Sequence, residues 1–161
     1  MRKVVLGTGE QALEYAFQGA AARHPGRVGV RIGYDEDAAH RVYAGCDAFL
    51  VPSRFEPCGL TQLYALHYGA LPVVARTGGL ADTVIDANEA ALRAEVATGF
   101  QFAVGSTSAL ADAIGRACAL FRDRTAWQKM QRNAMRAEVG WDASAARYRA
   151  VYDGLLGVAA A

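Results

Sequence analysis

The sequence predicts an α/β fold: a parallel sheet with helices on both faces. Three observations predict it. Short apolar runs alternate with stretches of helical spacing along most of the chain. The loops that follow those runs carry glycine or proline, as at Gly7-Thr8-Gly9, Gly33, Pro52 and Thr77-Gly78-Gly79. Hydrophobic residues make up 53% and charged residues 20% of the composition, enough apolar surface for one buried core. With 161 residues and no internal repeat or low-complexity linker, the chain reads as a single domain.

Val4-Val5-Leu6 predicts a buried strand closed by Gly7-Thr8-Gly9. A helix follows from about Gln11 to Arg23, with Leu13, Ala16, Phe17 and Ala20 at helical spacing, and His24-Pro25-Gly26 breaks it. The alternation Val28, Val30, Ile32, Tyr34 has the period of a strand. Asp35-Glu36-Asp37 places acidic residues at the start of a helix ending near Tyr43 or Ala44. Ala48-Phe49-Leu50-Val51 predicts the next buried strand. Gly59 to Tyr68 has helical character, and Gly69 suits its C-cap. Leu63, Tyr64 and Tyr68 are expected to face the core of that helix. Pro72-Val73-Val74-Ala75 is another strand and Thr77-Gly78-Gly79 a turn. Asp82 to Asn88 reads as a connector, with Asp82 placed to cap a short helix; Glu89 to Glu95 fits helix or loop. Gly99-Phe100-Gln101-Phe102 is a short strand. Three helical stretches close the chain, near residues 108–121, 125–135 and 143–156. Ser106 or Thr107 is expected to cap the first, Asp142 the third, and Trp141 to pack at the start of the third. The Ala-rich tail, Val158 to Ala161, is expected to fray.

Composition excludes several function classes. A net charge of +1, from 17 basic and 16 acidic residues, offers no excess for nucleic acid or a membrane surface. Cys46, Cys58 and Cys118 are odd in number and lack C-x-x-C spacing, so neither a disulfide framework nor a zinc site is expected. His24, His40 and His67 match no metal spacing. No apolar run reaches the roughly 20 residues that span a bilayer. The run after the basic Arg2-Lys3 is too short for a signal peptide, so the expected compartment is the cytoplasm.

In such sheets ligands bind at the carboxyl ends of strands, which points to the loops there. Pro52-Ser53-Arg54-Phe55-Glu56-Pro57-Cys58-Gly59 joins a strand to a helix. A helix start presents unpaired N–H groups and positive partial charge, suited to phosphate or hydroxyl groups. Gly59 lets a ligand approach the backbone. Glu56 supplies a carboxylate able to meet a sugar hydroxyl or developing positive charge; the bland alternative is a solvated glutamate in a strand–helix turn. Gly78-Gly79 fits a phosphate approach or an ordinary tight turn. Nothing near Cys58 in sequence is arranged to lower its pKa, so it is read as chosen for size.

The full string is more specific. Val51 to Tyr64, then Tyr68-Gly69, Leu71-Pro72-Val73-Val74 and Arg76-Thr77-Gly78-Gly79-Leu80-Ala81-Asp82-Thr83-Val84, closely resembles bacterial glycogen and plant starch synthases. Leu6-Gly7-Thr8-Gly9, Ile32-Gly33-Tyr34, Thr98-Gly99-Phe100 and the Trp141 segment fit in order. The resemblance implies the C-terminal, Rossmann-like half of a GT-B fold, whose two domains face a cleft. It implies a retaining glucosyltransferase of glycogen biosynthesis that moves glucose from ADP-glucose to the non-reducing end of an α-1,4-glucan, with no metal or other cofactor. Glu56 would be the motif glutamate, binding hydroxyls of the donor glucose and stabilising the positive charge that develops there. Backbone N–H groups around Cys58, Gly59 and Leu60 would hold glucose hydroxyls. Thr61 and the helix start would meet the phosphates, Gly78 and Gly79 would approach them, and Tyr34 would stack on adenine. Other retaining GT-B enzymes carry a second glutamate where Tyr64 stands here, which favours the glycogen synthase branch over the sucrose-synthase-like one.

Family members are longer. The resemblance implies that the N-terminal domain with the acceptor surface is missing, as is the first strand of the C-terminal domain with its phosphate-neutralising arginine and lysine. Little activity is expected from this chain alone, and self-association through the unpaired sheet edge is expected. Two other readings remain: a UDP-glucose-dependent retaining GT-B transferase, and a non-catalytic module binding nucleotide sugar or glucan.

Overall fold

The computed structural model describes residues 1–157, so the Ala-rich tail lies outside the described residues. The chain forms two compact units, one of residues 1–46 and one from Asp47 on.

The first unit runs β1 (Lys3–Gly7), α1 (Gln11–Arg23), β2 (Val28–Ile32) and α2 (Glu36–Gly45). The two strands pair in parallel, Lys3 against Val28 through Gly7 against Ile32. Gly33 N–H continues the ladder to the Gly7 carbonyl. Asp35 caps α2 by accepting from Ala38 N–H at 2.8 Å, so β2 ends before Tyr34. Val4 is 63% exposed and α1 buries no residue. β1 is therefore not the buried strand its sequence predicts: a two-stranded sheet has too little surface to enclose it.

The second unit runs β3 (Ala48–Val51), α3 (Thr61–Tyr68), β4 (Leu71–Ala75), α4 (Gly78–Thr83), α5 (Glu89–Arg93), β5 (Phe100–Phe102), α6 (Thr107–Leu120), α7 (Arg124–Met135) and α8 (Trp141–Leu156). Its parallel sheet has the order β3-β4-β5. The central β4 is buried along its whole length, as its apolar run requires. Leu71, Val73 and Ala75 point to one core with Leu66, Phe100, Trp127 and Met130. Val74 points to the other face, with Val51, Leu80 and Val84. This alternation covers both faces of the sheet. At β3, an edge strand, only Val51 is buried, whereas the other edge, β5, buries Phe100 and Phe102.

Several local expectations change. α3 starts at Thr61, because Gly59 has φ +73°, outside helical space. Its buried face is Gln62, Ala65 and Leu66, whereas Tyr64 and Tyr68 are about 40% exposed. Gly69 closes it in the left-handed conformation. Gly78 opens a helix rather than a turn, and Asp82 lies inside that helix; Asn88 caps the next. Ser106 caps α6. α8 begins at Trp141 after Gly140, so Asp142 sits within its first turn, and Trp141 is exposed.

Between α5 and β5, Glu95 holds φ +58° and pairs with Lys129 at 2.6 Å. That hydrogen bond, and then the ammonium charge, hold the Glu95 carboxyl below its usual range. Its stabilising effect is present above the ordinary glutamate pKa and is lost as pH falls through the depressed value. Because the pair is solvent-exposed the effect is small. Lys129→Gln is expected to move the Glu95 titration upward in NMR, and an unmoved midpoint would refute the pairing.

Candidate functional site

The loop from Pro52 to Leu60 leaves the carboxyl end of β3, and Arg76-Thr77 leaves that of β4. These are the ends where parallel sheets bind ligands. Glu56 is half-buried on the first loop, and Ser53 Oγ donates to its Oε2 at 3.3 Å. Cys58 and Leu60 are exposed, and Thr61 opens α3. The first-turn N–H groups of that helix have no partner within it.

The second loop seats α4 directly against the first. Gly79 N–H donates to the Pro57 carbonyl at 3.2 Å. A Cβ at Gly78 would stand 1.9 Å from the Glu56 carbonyl oxygen, and one at Gly79 would stand 2.2 Å from that of Cys58. Two successive glycines are thus what lets the backbones touch. Gly78 also holds φ +44°, which disfavours any side chain.

Gln62 ties the same pieces together from beneath. It is fully buried, and its Nε2 lies within donating distance of the Cys58 and Gly59 carbonyls and of Thr83 Oγ1. Thr83 Oγ1 in turn donates to the Gly79 carbonyl at 2.5 Å.

The structure therefore brings together Glu56, Cys58, Gly59, Leu60, Thr61, Gly78 and Gly79, seven of the residues singled out from sequence. Tyr34 stands on the other unit, 88% exposed after β2, with its hydroxyl donating to Glu36 Oε2 at 3.4 Å. Sequence reasoning missed Ser53 and Gln62 as parts of the site. A glutamine three residues after a glycine, on a helix otherwise apolar inward, is the signal that could have found the second. Among the described residues no group of three or more His, Cys, Asp or Glu could hold a metal ion. No described helix is long and apolar enough to cross a membrane.

The glycogen synthase of Roseobacter denitrificans is 63% identical over 153 residues, which is 95% of this chain and 32% of that protein. That of Novosphingobium aromaticivorans is 58% identical over 155 residues, 96% of this chain and 32% of that protein. The chain thus spans about a third of the length of the curated relatives it matches. Among solved structures, the catalytic domain of starch synthase IV from Arabidopsis thaliana, bound to ADP and acarbose, superposes with a TM-score of 0.77 at 26% identity. The superposition covers 94% of this chain and 38% of that one. The sequence family "Glycosyl transferases group 1" matches residues 2–134, from before β1 into α7. The parallel sheets and the loops at their carboxyl ends lie within that stretch, and the chain belongs to the group 1 glycosyl transferases.

Proposed function

We propose that this chain is the nucleotide-sugar-binding part of a glycogen-synthase-type glucosyltransferase. In this reading both units belong to one donor-binding domain, the donor is ADP-glucose and the acceptor is the non-reducing end of an α-1,4-glucan. The observation that carries the reading is the contact between the Glu56 loop and the Gly78-Gly79 start of α4. It sets a carboxylate, exposed loop amides and two close-packed glycines around one end of the sheet. High identity to named glycogen synthases over nearly the whole chain supports the substrate class.

Each group has a task set by its chemistry. The Glu56 carboxylate, steadied by Ser53, would accept a hydrogen bond from a hydroxyl of the donor glucose and stabilise positive charge developing at that sugar. Amides of Cys58, Gly59 and Leu60 would donate to glucose hydroxyls. The N-terminal end of α3, with Thr61, would face the phosphates, where backbone N–H groups and helix polarity favour negative charge. Gly78 and Gly79 would let the phosphates lie close to the backbone. The exposed ring of Tyr34 would stack on adenine.

Calorimetry of ADP-glucose, ADP and UDP-glucose against the wild type and Glu56→Ala tests this. ADP-glucose is expected to bind, and the variant to lose about tenfold in its affinity, the worth of a hydrogen bond to a charged group. ADP affinity should be unchanged. Preference for UDP-glucose would overturn the donor assignment, and equal ADP-glucose affinity in the two proteins would overturn the hydrogen bond from the sugar to Glu56.

A further inference from the structure

Gln62 is fully buried in a helix whose other inward residues are apolar. Its amide nitrogen has three acceptors in reach, the Cys58 and Gly59 carbonyls and Thr83 Oγ1, for its two hydrogens. This fixes the amide's orientation, since turning it over would set its oxygen against two carbonyl oxygens. Oε1 then faces Gly59, where a Cβ would come within 2.5 Å, and it has no hydrogen-bond partner among the described residues. An unpaired buried acceptor is costly, and an apolar side chain of the same shape would avoid it. Packing alone therefore does not account for glutamine here.

We propose that Gln62 is a positioning residue that sets the Glu56 loop against α4. This rests on the donor-site reading above. The path runs from Gln62 Nε2 to Thr83 Oγ1, and from the Thr83 hydroxyl to the Gly79 carbonyl. The other hydrogen of the amide holds the carbonyls of Cys58 and Gly59, whose neighbouring N–H groups are the proposed sugar contacts. One buried side chain thus fixes the spacing between the proposed sugar-binding loop and the proposed phosphate-binding start of α4. Gly59 is required twice over: its φ is +73°, and the space for a Cβ is filled by the Gln62 carboxamide.

The test uses Gln62→Met, which keeps the volume and removes the hydrogen bonds, beside Thr83→Val, which removes the shared hydroxyl from the α4 side. Thermal melts, calorimetry and amide hydrogen exchange are read on each. Both variants are expected to melt no lower than a few degrees below wild type. Affinity for ADP should stay within about twofold, while that for ADP-glucose falls on the order of tenfold or more, because small displacements at a bound centre are magnified. The amides of residues 58–60 and Gly79 should exchange faster. A residue that only fills space would move ADP and ADP-glucose together or neither, and that result, with exchange unchanged, would overturn the proposal. If Gln62→Met fails to fold, the same split in Thr83→Val decides. If wild type binds neither ligand, the donor-site reading fails, and the exchange comparison decides separately whether Gln62 couples the loops.

Discussion

Replacing Gly78 by alanine is expected to reduce ADP-glucose affinity by about a hundredfold, more than any side-chain truncation in the site. The added Cβ would lie 1.9 Å from the Glu56 carbonyl oxygen and 3.0 Å from the Pro57 carbonyl oxygen. Neither neighbour is the flexible end of a side chain, so the backbone itself must retreat by more than an ångström. The left-handed φ of Gly78 adds about 1–2 kcal/mol for any residue with a Cβ. Overpacking of backbone against backbone adds about 1–3 kcal/mol more. Both effects act on the loop that carries Glu56. Gly115→Ala is the control: a Cβ there meets nothing within 4 Å, in the middle of α6. That change is expected to stabilise the fold by about 0.5–1 kcal/mol. Calorimetry and thermal melts of the two variants check the pair. Undiminished binding in Gly78→Ala would show that the contact between the loops is not part of the donor site.

The same glycines show how far the site was legible in the sequence. The long motif from Val51 to Val84 located the loops, because strand-to-helix junctions of parallel sheets announce themselves by apolar runs ending in Pro or Gly. What it could not show is that Gly78-Gly79 opens a helix. Local chemistry favours a turn at Gly-Gly, and only the seat against Cys58 and Pro57 makes the helix start there. The inward face of α3 was misread for a related reason. Six of the nine side chains from Leu60 to Tyr68 are apolar or aromatic and fall on both faces of the helix, so spacing alone left the orientation open. Glutamine is the least expected inward residue on such a helix, and hydrophobic patterning passes over it. Where the strands have partners on both sides, as at β4, the sequence reading needed no correction. At β1 burial fell short because a two-stranded sheet has too little surface to enclose it, and at β3 only Val51 is buried.

Stability rests elsewhere, and the largest single loss is expected from Trp127→Ala. Trp127 is 1% exposed on α7 and stacks with Phe100 of β5 at 6.2 Å between ring centroids; Phe121 meets it edge-on at 5.1 Å. It thus helps fasten α7 to β5. Removing a buried indole costs about 3–5 kcal/mol. A domain of this kind has only about 5–15 kcal/mol in all. The variant is therefore expected to unfold at markedly lower denaturant, with an unchanged slope if the transition stays cooperative. Trp127→Phe separates packing from polarity. The indole Nε1 is buried without a hydrogen-bond partner among the described residues, a burden of about 1–3 kcal/mol that phenylalanine does not carry. The phenylalanine variant leaves a smaller cavity and removes that orphan donor, so its net cost should stay near 1 kcal/mol on the order-of-magnitude scale of conservative core swaps. Equal destabilisation by the two substitutions would mean that the indole nitrogen does have a partner in solution. The core would then depend on a polar contact at Trp127 as well as on its rings.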